Sequence, residues 1–346
     1  MKIPDSQTGY GFIRGLKDIN VLPNLPVKKP GPNEILLKIE VAGLCHSDHH
    51  ILLEQSPLNP DPMVMGHEIC GSIAQVGSEL EDNENYAIGS RHTIFILNPC
   101  AVCIHCKKGR DNLCLEGRFD AFGITLDGGF QEYLLVKNPR ALVPIPDGVS
   151  YEAAASATDA ILTPFHAIMK VRERLGPATK VLVLGAGGLG LNAIQILNVF
   201  GCKITCVDKK PEVRDIVKNF GASEFYTDFD DIKDPQETFD LSFDFIGIPE
   251  SVACSVQYIA AGGKIVMVGM GRLKAVLPIY DLCRREVEVI FNIGGTSVEQ
   301  AEILQWLKEK KLRPIVETKP MSSLPEYMEK LTKNQLTGRV VFKPKL

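Results

Sequence analysis

One stretch in the middle of the chain restricts the possible folds more than any other. A short apolar strand is predicted at Val181–Leu184, the glycine loop GAGGLG follows at Gly185–Gly190, and Leu189–Phe200 has helical length and spacing. A second strand is predicted at Lys203–Val207, and Asp208 ends it. This order of strand, G-x-G-x-x-G turn, helix and acid-terminated strand is typical of a parallel sheet that binds a dinucleotide. The alternative, a glycine-rich turn in an unrelated α/β protein, does not account for the helix and the acid together.

Each glycine of this loop has its own predicted role. Gly185 permits the tight turn, Gly187 lets the backbone approach a pyrophosphate, and Gly190 allows close packing of helix on strand. The free N–H groups of the helix N-terminus attract the phosphates. Asp208 would accept hydrogen bonds from the ribose hydroxyls and repel the 2′-phosphate of NADP, although the pair Lys209–Lys210 softens that repulsion. The sequence therefore predicts a preference for NAD(H).

The segments on either side predict two kinds of structure. Residues up to Pro146 are rich in proline and glycine and carry short β-type runs, of which Glu34–Val41 is the clearest. Beyond Lys180, strands alternate with helices, which is typical of βαβ units and of an α/β fold with a doubly wound parallel sheet. Val287–Ile293 is predicted as an edge strand of that sheet, where it would pair with a second copy of the chain.

A cluster of cysteines in the β-rich part has the spacing of a zinc site: Cys100, Cys103, Cys106 and Cys114. One loop can wrap a single tetrahedral Zn²⁺ with four thiolates, which closes the site to solvent and predicts a structural ion. Disulfides are disfavoured because a chain of this length buries enough apolar surface without them. A redox C-x-x-C motif is disfavoured because the cluster lies outside the βαβ region. The other cysteines outside the two candidate metal sites are predicted to be small core side chains: Cys70, Cys202, Cys206, Cys254 and Cys283.

A second set of candidate ligands is scattered over two segments, CHSDHH at Cys45–His50 and GHE at Gly66–Glu68. A catalytic zinc site takes three protein ligands and keeps one position open for substrate or water. Spacing alone allows many pairings of these side chains. The alternative is a set of surface histidines beside a buried cysteine.

Charge and hydropathy exclude several classes of partner. The formal net charge of −4 gives no reason to expect nucleic acid or an anionic membrane. No apolar run approaches the length that spans a bilayer, and Met1–Gly15 carries no apolar signal stretch. We therefore expect a cytoplasmic enzyme whose thiols stay reduced.

Taken together, the motifs resemble those of a zinc-dependent alcohol dehydrogenase of the medium-chain dehydrogenase/reductase superfamily. The resemblance covers essentially the whole chain, and the motifs come in the family's order: Cys45-His46-Ser47-Asp48, Gly66-His67-Glu68, the four cysteines, Asp159-Ala160-Ile161-Leu162-Thr163, the glycine loop, and Gly338-Arg339-Val340-Val341. The segment ASATDAILTPFHAI at Ala155–Ile168 is most similar to yeast carbonyl reductases and secondary alcohol dehydrogenases.

The resemblance implies hydride transfer between NAD(H) and a secondary alcohol/ketone or aldehyde pair. Cys45, His67 and Asp159 would bind a catalytic zinc that acts as a Lewis acid on the substrate oxygen. Many members have a cysteine where this chain has Asp159, whereas the carbonyl-reductase branch has aspartate. One thiolate and one carboxylate balance the charge of Zn²⁺, and the harder carboxylate predicts faster exchange of this zinc than of the four-thiolate one.

Further roles follow from the same resemblance. Ser47 would accept the proton of the substrate hydroxyl, and His50 would pass it to solvent. Asp48 would hold the free ring nitrogen of His67, and Glu68 would lie behind the metal, able to replace a ligand during exchange. The residues that would contact the cofactor are His46, Gly185, Gly187, Gly188, Leu189, Gly190, Asp208, Lys210, Val268 and Arg339.

The implied architecture is a GroES-like, β-rich catalytic domain of residues 1–158 and 296–346 and a Rossmann NAD-binding domain of residues 159–295. The resemblance also implies a homodimer or homotetramer. Two alternatives remain open: a polyol dehydrogenase of the sorbitol type, and a non-catalytic nucleotide-binding protein of the same fold. The first usually lacks an intact four-cysteine lobe, and the second has no need of the complete catalytic set.

Overall fold

A computed structural model describes residues 3–57, 59–117, 119–233, 235–272 and 274–344 of this chain. The strands, in chain order, are β1 (Ser6–Phe12), β2 (Asn20–Pro26), β3 (Ile35–Leu44), β4 (Met63–Val64), β5 (Glu68–Val76), β6 (Arg91–Ile94), β7 (Tyr133–Val136), β8 (Leu142–Pro144), β9 (Lys180–Leu184), β10 (Lys203–Val207), β11 (Glu224–Tyr226), β12 (Phe239–Asp244), β13 (Ile259–Met267), β14 (Glu288–Phe291), β15 (Val316–Pro320) and β16 (Arg339–Lys343). The α-helices are α1 (His46–Glu54), α2 (Ile104–Lys107), α3 (Tyr151–Ser156), α4 (Leu162–Met169), α5 (Gly190–Val199), α6 (Arg214–Asn219), α7 (Pro249–Tyr258), α8 (Ile279–Arg284), α9 (Ser297–Lys308) and α10 (Leu324–Thr332). Short 3-10 helices lie at Glu84–Tyr86, Asp111–Leu113, Pro139–Ala141, Arg172–Arg174, Pro211–Val213, Phe229–Asp231 and Met321–Ser323.

These elements form two compact units, Met1–Leu162 with Thr296–Leu346, and Thr163–Gly295. The first boundary between the units follows Leu162, four residues beyond the boundary after residue 158 that the sequence predicts. The reason is local: α3 ends at Ser156, and the turn that follows packs Asp159 against side chains of the first unit.

The first unit is built on a mostly antiparallel sheet with the order β15-β16-β3-β5-β6-β8, in which β7 also pairs with β3. A smaller sheet has the order β2-β1-β4. The central strand β3 is buried along its whole length except at Lys38 and Glu40, because its sequence is otherwise apolar or glycine. Phe12, Phe130 and Phe342 fill the core of this unit and are fully buried, and burial of each such side chain stabilises the fold by about 1.5–3 kcal/mol.

The ends of three strands meet at one place in this sheet. The C-terminal end of β3 pairs with the N-terminal ends of β5 and β16. A Cβ at Gly43 would lie 2.1 Å from Oε2 of Glu68, so glycine lets β3 and β5 approach closely here. Cys45 directly follows β3, His67 directly precedes β5, and Arg339 opens β16. Pairing of the strands therefore brings these three side chains into one neighbourhood.

The segment that carries the four cysteines begins and ends at the same place in the first unit. Leu97 and Ala121 form an isolated antiparallel bridge that closes the segment at its base. The carboxylate of Asp111 accepts a hydrogen bond of 3.2 Å from the N–H of Ser297, which ties the segment to the start of α9. We call this segment, Leu97–Ala121, the four-cysteine lobe.

The second unit contains a parallel sheet with the order β11-β10-β9-β12-β13-β14. β9 is buried from Val181 to Leu184, where its sequence is wholly apolar, and the helix α5 that contacts it is buried over most of its length. The strands β10 and β11 follow β9 on one side of it, and the next strand in the chain, β12, pairs with β9 on its other side. The order in which strands are added to the sheet therefore reverses beside β9. In doubly wound sheets, ligands bind at the carboxyl ends of the strands beside such a point.

One prediction about the core is wrong. Cys283 is exposed, because the short helix α8 buries only Leu282. The other four cysteines predicted for the core are buried: Cys70, Cys202, Cys206 and Cys254. Among the helices of the described residues, none is long and apolar enough to cross a membrane.

Candidate metal and dinucleotide sites

Three predicted metal ligands converge beside the end of β3. Cys45 precedes α1, His67 precedes β5, and Asp159 lies in the turn between α3 and α4. Oδ2 of Asp159 lies 3.2 Å from Sγ of Cys45 and 3.7 Å from Nε2 of His67. With Glu68 included, the ligand atoms all lie within 4.8 Å of one another.

Asp48 supports two of these ligands. Its Oδ1 lies 3.4 Å from Nδ1 of His67, and its Oδ2 accepts a hydrogen bond of 2.9 Å from the N–H of Cys45. Burial lowers the pKa of His67, but the Asp48 carboxylate and the hydrogen bond with Asp159 outweigh it and hold that pKa well above its usual range. A carboxylate on one ring nitrogen orients the other nitrogen for a metal.

Arg339 is buried beside the same cluster. Its Nη2 lies 2.9 Å from Oε1 of Glu68 and 3.3 Å from Oδ2 of Asp159, and its Nη1 donates to the carbonyl of Leu44 at 3.2 Å. Burial raises the pKa of Glu68 to about 8, although the Arg339 charge opposes this shift. The guanidinium thus contacts two carboxylates here, and its assignment to the cofactor pyrophosphate stays a prediction.

Helix α1 carries the side chains assigned to the proton relay. Oγ of Ser47 lies 3.7 Å from Sγ of Cys45, and the rings of His49 and His50 are 6.4 Å apart. Ser47 and His50 are partly exposed, whereas His46 is exposed. Ser47 is therefore at the ligand cluster, but within the described residues no hydrogen bond joins it to His50.

The sulfur atoms of the four-cysteine lobe also form one cluster, within 4.8 Å of one another: Cys100, Cys103, Cys106 and Cys114. Sγ of Cys100 lies 4.0 Å from Sγ of Cys106 and accepts a hydrogen bond of 3.3 Å from the N–H of Cys103. The N–H groups of Cys106 and Leu115 point at the sulfur of Cys103 and lower its pKa to about 6. Backbone donors thus favour the thiolate at Cys103, whereas burial raises the pKa of Cys106 to about 12.

The glycine loop has the geometry of a dinucleotide turn. Gly185 has a φ of 92°, which favours glycine. A Cβ at Gly190 would lie 1.8 Å from the carbonyl oxygen of Gly185, whereas a Cβ at Gly187 would meet nothing within 4 Å. The loop therefore needs Gly185 and Gly190 for its own fold, and Gly187 faces open space.

Asp208 directly follows β10 and is held by the loop. Its Oδ2 accepts a hydrogen bond of 2.6 Å from the N–H of Ala186, and its Oδ1 accepts one of 2.9 Å from the N–H of Lys210. Val268 directly follows β13, where its N–H donates to the carbonyl of Asp244 at 2.9 Å. The residues predicted to contact the dinucleotide within this unit thus follow the carboxyl ends of its strands.

Comparison with known proteins gives the family. Residues 31–147 match the family described as “Alcohol dehydrogenase GroES-like domain”, and residues 188–309 match “Zinc-binding dehydrogenase”. An alcohol dehydrogenase of Geobacillus stearothermophilus is 30% identical over 335 residues, which cover 92% of this chain and 94% of that protein. The chain belongs to the zinc-dependent alcohol dehydrogenases of the medium-chain dehydrogenase/reductase superfamily.

Further relatives of this zinc-dependent alcohol dehydrogenase agree with the assignment. Alcohol dehydrogenase 1 of Emericella nidulans is 30% identical over 337 residues, which are 93% of both chains. The solved structure of acetophenone reductase from Geotrichum candidum in complex with NAD has a TM-score of 0.92 at 35% identity and covers 99% of this chain and 98% of that one. The predicted family, the GroES-like and Rossmann fold and the enzyme class are confirmed. Zinc and NAD are supported as cofactors, and an alcohol/ketone pair as substrate.

Both clusters fit zinc by their donor atoms and their spacing. Tetrahedral Zn²⁺ with bonds of about 2.0–2.3 Å holds its ligand atoms about 3.3–3.8 Å apart. The distances of 3.2 and 3.7 Å around Asp159, and of 4.0 Å between Cys100 and Cys106, are close to that range. Negative ligands packed this closely repel one another unless a cation lies among them. The two clusters therefore have the chemistry of metal sites.

Sequence reasoning missed the contact of Arg339 with Asp159. The two residues lie 180 positions apart, Arg339 at the start of β16 and Asp159 in the turn after α3, and neither segment carries a signature of their contact. The available signal was the arginine itself, which directly precedes the apolar run Val340-Val341-Phe342.

Proposed function

We propose that this alcohol dehydrogenase binds two Zn²⁺ ions per chain and prefers NAD(H) to NADP(H). Cys45, His67 and Asp159 would hold a catalytic ion, and the four-cysteine lobe would hold a structural one. The observation that carries the proposal is the convergence of a thiol, an imidazole and a carboxylate, each from a different segment, around Oδ2 of Asp159. Three ligands leave one tetrahedral position for a substrate oxygen.

The chain's own residues would then handle binding and the proton. The bound zinc supplies a Lewis acid at the substrate oxygen, and the bound nucleotide supplies or takes up hydride. Asp48 keeps the Nδ1 proton of His67 in place, which leaves Nε2 free to be a ligand. The hydroxyl of Ser47, next to the ligand cluster, would exchange the proton of the substrate hydroxyl, and His50 would carry it to solvent.

The cofactor preference rests on Asp208. A carboxylate at the end of β10 can accept hydrogen bonds from both ribose hydroxyls, and its charge disfavours a 2′-phosphate. The remaining cofactor contacts stay as predicted, with the glycine loop at the pyrophosphate and Val268 near the nicotinamide half. We assign NAD binding to the unit Thr163–Gly295 and catalysis to the unit that contains the ligands.

An aryl-alkyl ketone is the substrate class that we favour, because the relative with 35% identity is an acetophenone reductase. A polyol dehydrogenase remains the alternative, and the complete four-cysteine cluster argues against it. A non-catalytic role is disfavoured by the assembled ligand set. Oxidation of sorbitol that exceeds reduction of acetophenone under matched conditions would favour the alternative.

We also propose a cytoplasmic homodimer or homotetramer. The edge strand β14 exposes apolar side chains that a partner would cover, since Phe291 is 72% exposed and the following Ile293 is 65% exposed. Light scattering after gel filtration measures the mass directly. A monomer at micromolar concentration would contradict this part.

Metal analysis during chelation tests the two-zinc proposal. We expect two zinc ions per chain. The NADH-dependent acetophenone reductase activity should be lost at the same rate as the first zinc ion, while the circular dichroism spectrum stays unchanged. The matched variant Cys103→Ser should start with one zinc and keep the chelator-labile activity. Simultaneous loss of both ions from the wild type, or a single ion at the outset, would contradict the proposal.

A further inference from the structure

We propose that the buried carboxylate of Asp244 is a counter-charge for the nicotinamide ring, which favours bound NAD⁺ over bound NADH. Asp244 is the last residue of β12 and is fully buried. It therefore acts at a distance, as a positioning residue rather than a catalytic one. The inference rests on the proposed function, because it concerns the nucleotide site of the same unit.

Asp244 lies at the part of the sheet edge where the nicotinamide half would bind. The glycine loop follows β9, Asp208 follows β10 on one side of that strand, and Asp244 ends β12 on the other side. A dinucleotide with its adenosine at Asp208 and its pyrophosphate at the loop therefore extends over the ends of β12 and β13. The carbonyl of Asp244 accepts hydrogen bonds from the N–H groups of Val268 at 2.9 Å and Gly269 at 2.8 Å. Asp244 is thus bonded to the residue predicted near the nicotinamide.

The carboxylate of Asp244 accepts hydrogen bonds from three neutral donors. Its Oδ1 accepts from the N–H groups of Ile246 at 2.8 Å and Gly247 at 2.9 Å, and its Oδ2 accepts from the hydroxyl of Ser251 at 2.7 Å. Burial raises the pKa of Asp244, and these three hydrogen bonds oppose that shift. Three donors and no acceptor are the surroundings of an ionised carboxylate.

The charge of Asp244 has no full counter-charge in its surroundings. Within the part of the chain that the structure describes, no lysine, arginine or histidine side chain forms an ion pair with it. The first turn of α7, which contains Ser251, supplies only the partial positive charge of a helix N-terminus. A buried charge without a partner is costly, and a neutral asparagine could accept the same N–H groups. The positive ring of NAD⁺ would offset part of this cost.

The backbone holds this charge at a fixed place. The N–H of Phe245 donates to the carbonyl of Leu184 at 2.9 Å, which joins the end of β12 to the start of the glycine loop. A Cβ at Gly247 would lie 2.0 Å from the carbonyl oxygen of Gly269, so the turn after β12 and the segment after β13 are in direct contact. A fixed charge needs no reorganisation when the nicotinamide ring becomes positive.

The consequence concerns the direction of the reaction. Reduction of a carbonyl compound moves a hydride, with its two electrons, from NADH to the carbonyl carbon, while a proton adds to the oxygen, so that NAD⁺ and the alcohol are formed. The nicotinamide ring is neutral before this step and positive after it. A negative charge at Asp244 stabilises the second state more than the first, and it therefore shifts the equilibrium on the enzyme toward the alcohol.

Titration of the zinc-loaded protein with NAD⁺ and with NADH tests the charge without turnover. The pyrophosphate is common to both nucleotides, so its repulsion by Asp244 cancels in the ratio of the two Kd values. Asp244→Asn keeps an acceptor oxygen and removes the charge. We expect it to raise the ratio of the Kd for NAD⁺ to the Kd for NADH about 3- to 10-fold. This change equals a rise of about 14–30 mV in the reduction potential of the bound couple.

Two further variants separate the charge from the fold. Asp244→Glu keeps the charge and should leave the ratio within about 2-fold of the wild type, even if both Kd values rise. Asp240→Asn, which removes a carboxylate near the other end of β12, is the matched control and should change neither Kd. If circular dichroism shows that Asp244→Asn is unfolded, Asp244→Ser supplies the neutral variant, and the same ratio decides.

The outcomes that count against the inference are distinct from those that count against the proposed function. A neutral variant that is folded, binds both nucleotides and keeps the wild-type ratio would overturn the inference, because a purely structural role weakens both nucleotides equally. A ratio that rises as much in Asp240→Asn would overturn it as well. A wild type that binds neither NAD⁺ nor NADH would contradict the proposed function itself.

Discussion

Replacement of Gly187 by alanine should weaken the binding of the cofactor and at the same time stabilise the fold. Gly187 is exposed, its φ lies outside the positive region, and an added Cβ meets no atom within 4 Å. The folded chain can therefore accept the methyl group, and the smaller freedom of the unfolded chain should stabilise the variant by about 0.4–1 kcal/mol. The same methyl group occupies the space through which a pyrophosphate would approach the loop backbone.

The expected loss of affinity follows from that overlap. Forcing a methyl group into a close-packed contact costs about 1–3 kcal/mol, which raises the Kd for NADH about 5- to 150-fold. Fluorescence titration with NADH and thermal unfolding without cofactor measure the two effects on one preparation. Gly176→Ala, also free of contacts and in the same unit, should keep the affinity for NADH. Gly190→Ala should instead destabilise the fold by about 3 kcal/mol or more, because its Cβ would lie 1.8 Å from Gly185 O.

The outcome that refutes this reasoning is specific. If Gly187→Ala binds NADH as tightly as the wild type, the dinucleotide does not approach the loop backbone at this glycine. If the variant loses stability before any cofactor is added, the open space at Gly187 has been misassigned. A gain in stability with a loss of affinity is the only combination that agrees with the geometry.

Three further outcomes can be checked. Asp159→Asn removes a charge from the ligand set, so zinc measured by mass spectrometry should fall from two ions to one per chain; loss of both would contradict separate sites. Asp48→Asn leaves His67 without its carboxylate partner and should weaken zinc binding about 10- to 100-fold in chelator competition, with an unchanged Kd contradicting the support role. Burial lowers the pKa of His92 below 6.5, so the unfolded chain binds more protons and stability falls as the pH drops through that value. His92→Gln should flatten this decline in urea unfolding at acidic pH, and an unchanged slope would exclude His92 as its source.

Local patterns predicted the second unit well. The strands β9 and β10, the helix α5 and the glycine turn between β9 and α5 depend on residues that are close in sequence, and the structure has these elements at the expected places. The cysteine loop was predictable for the same reason.

The scattered site was not accessible to such patterns. Cys45, His67 and Asp159 meet only because β3 pairs with β5 and because the chain turns after α3 ends at Ser156. Spacing left their pairing open, and only the family resemblance joined them. The prediction for Cys283 was wrong because apolar and charged residues are mixed in its segment. The hydrophobic periodicity there is too weak to show which face of the single short helix is buried.

The bridge between Leu97 and Ala121 lets the two candidate metal sites change in different ways. Because the two ends of the lobe are in contact, the whole lobe can be inserted or deleted in a single step without a change in the order of the strands. The other site draws its ligands from three distant segments, so it can change only by one side chain at a time. Aspartate in place of cysteine at residue 159 is a change of that second kind. Removal of the lobe is therefore a single change at one place in the chain, whereas the scattered site changes one ligand atom at a time.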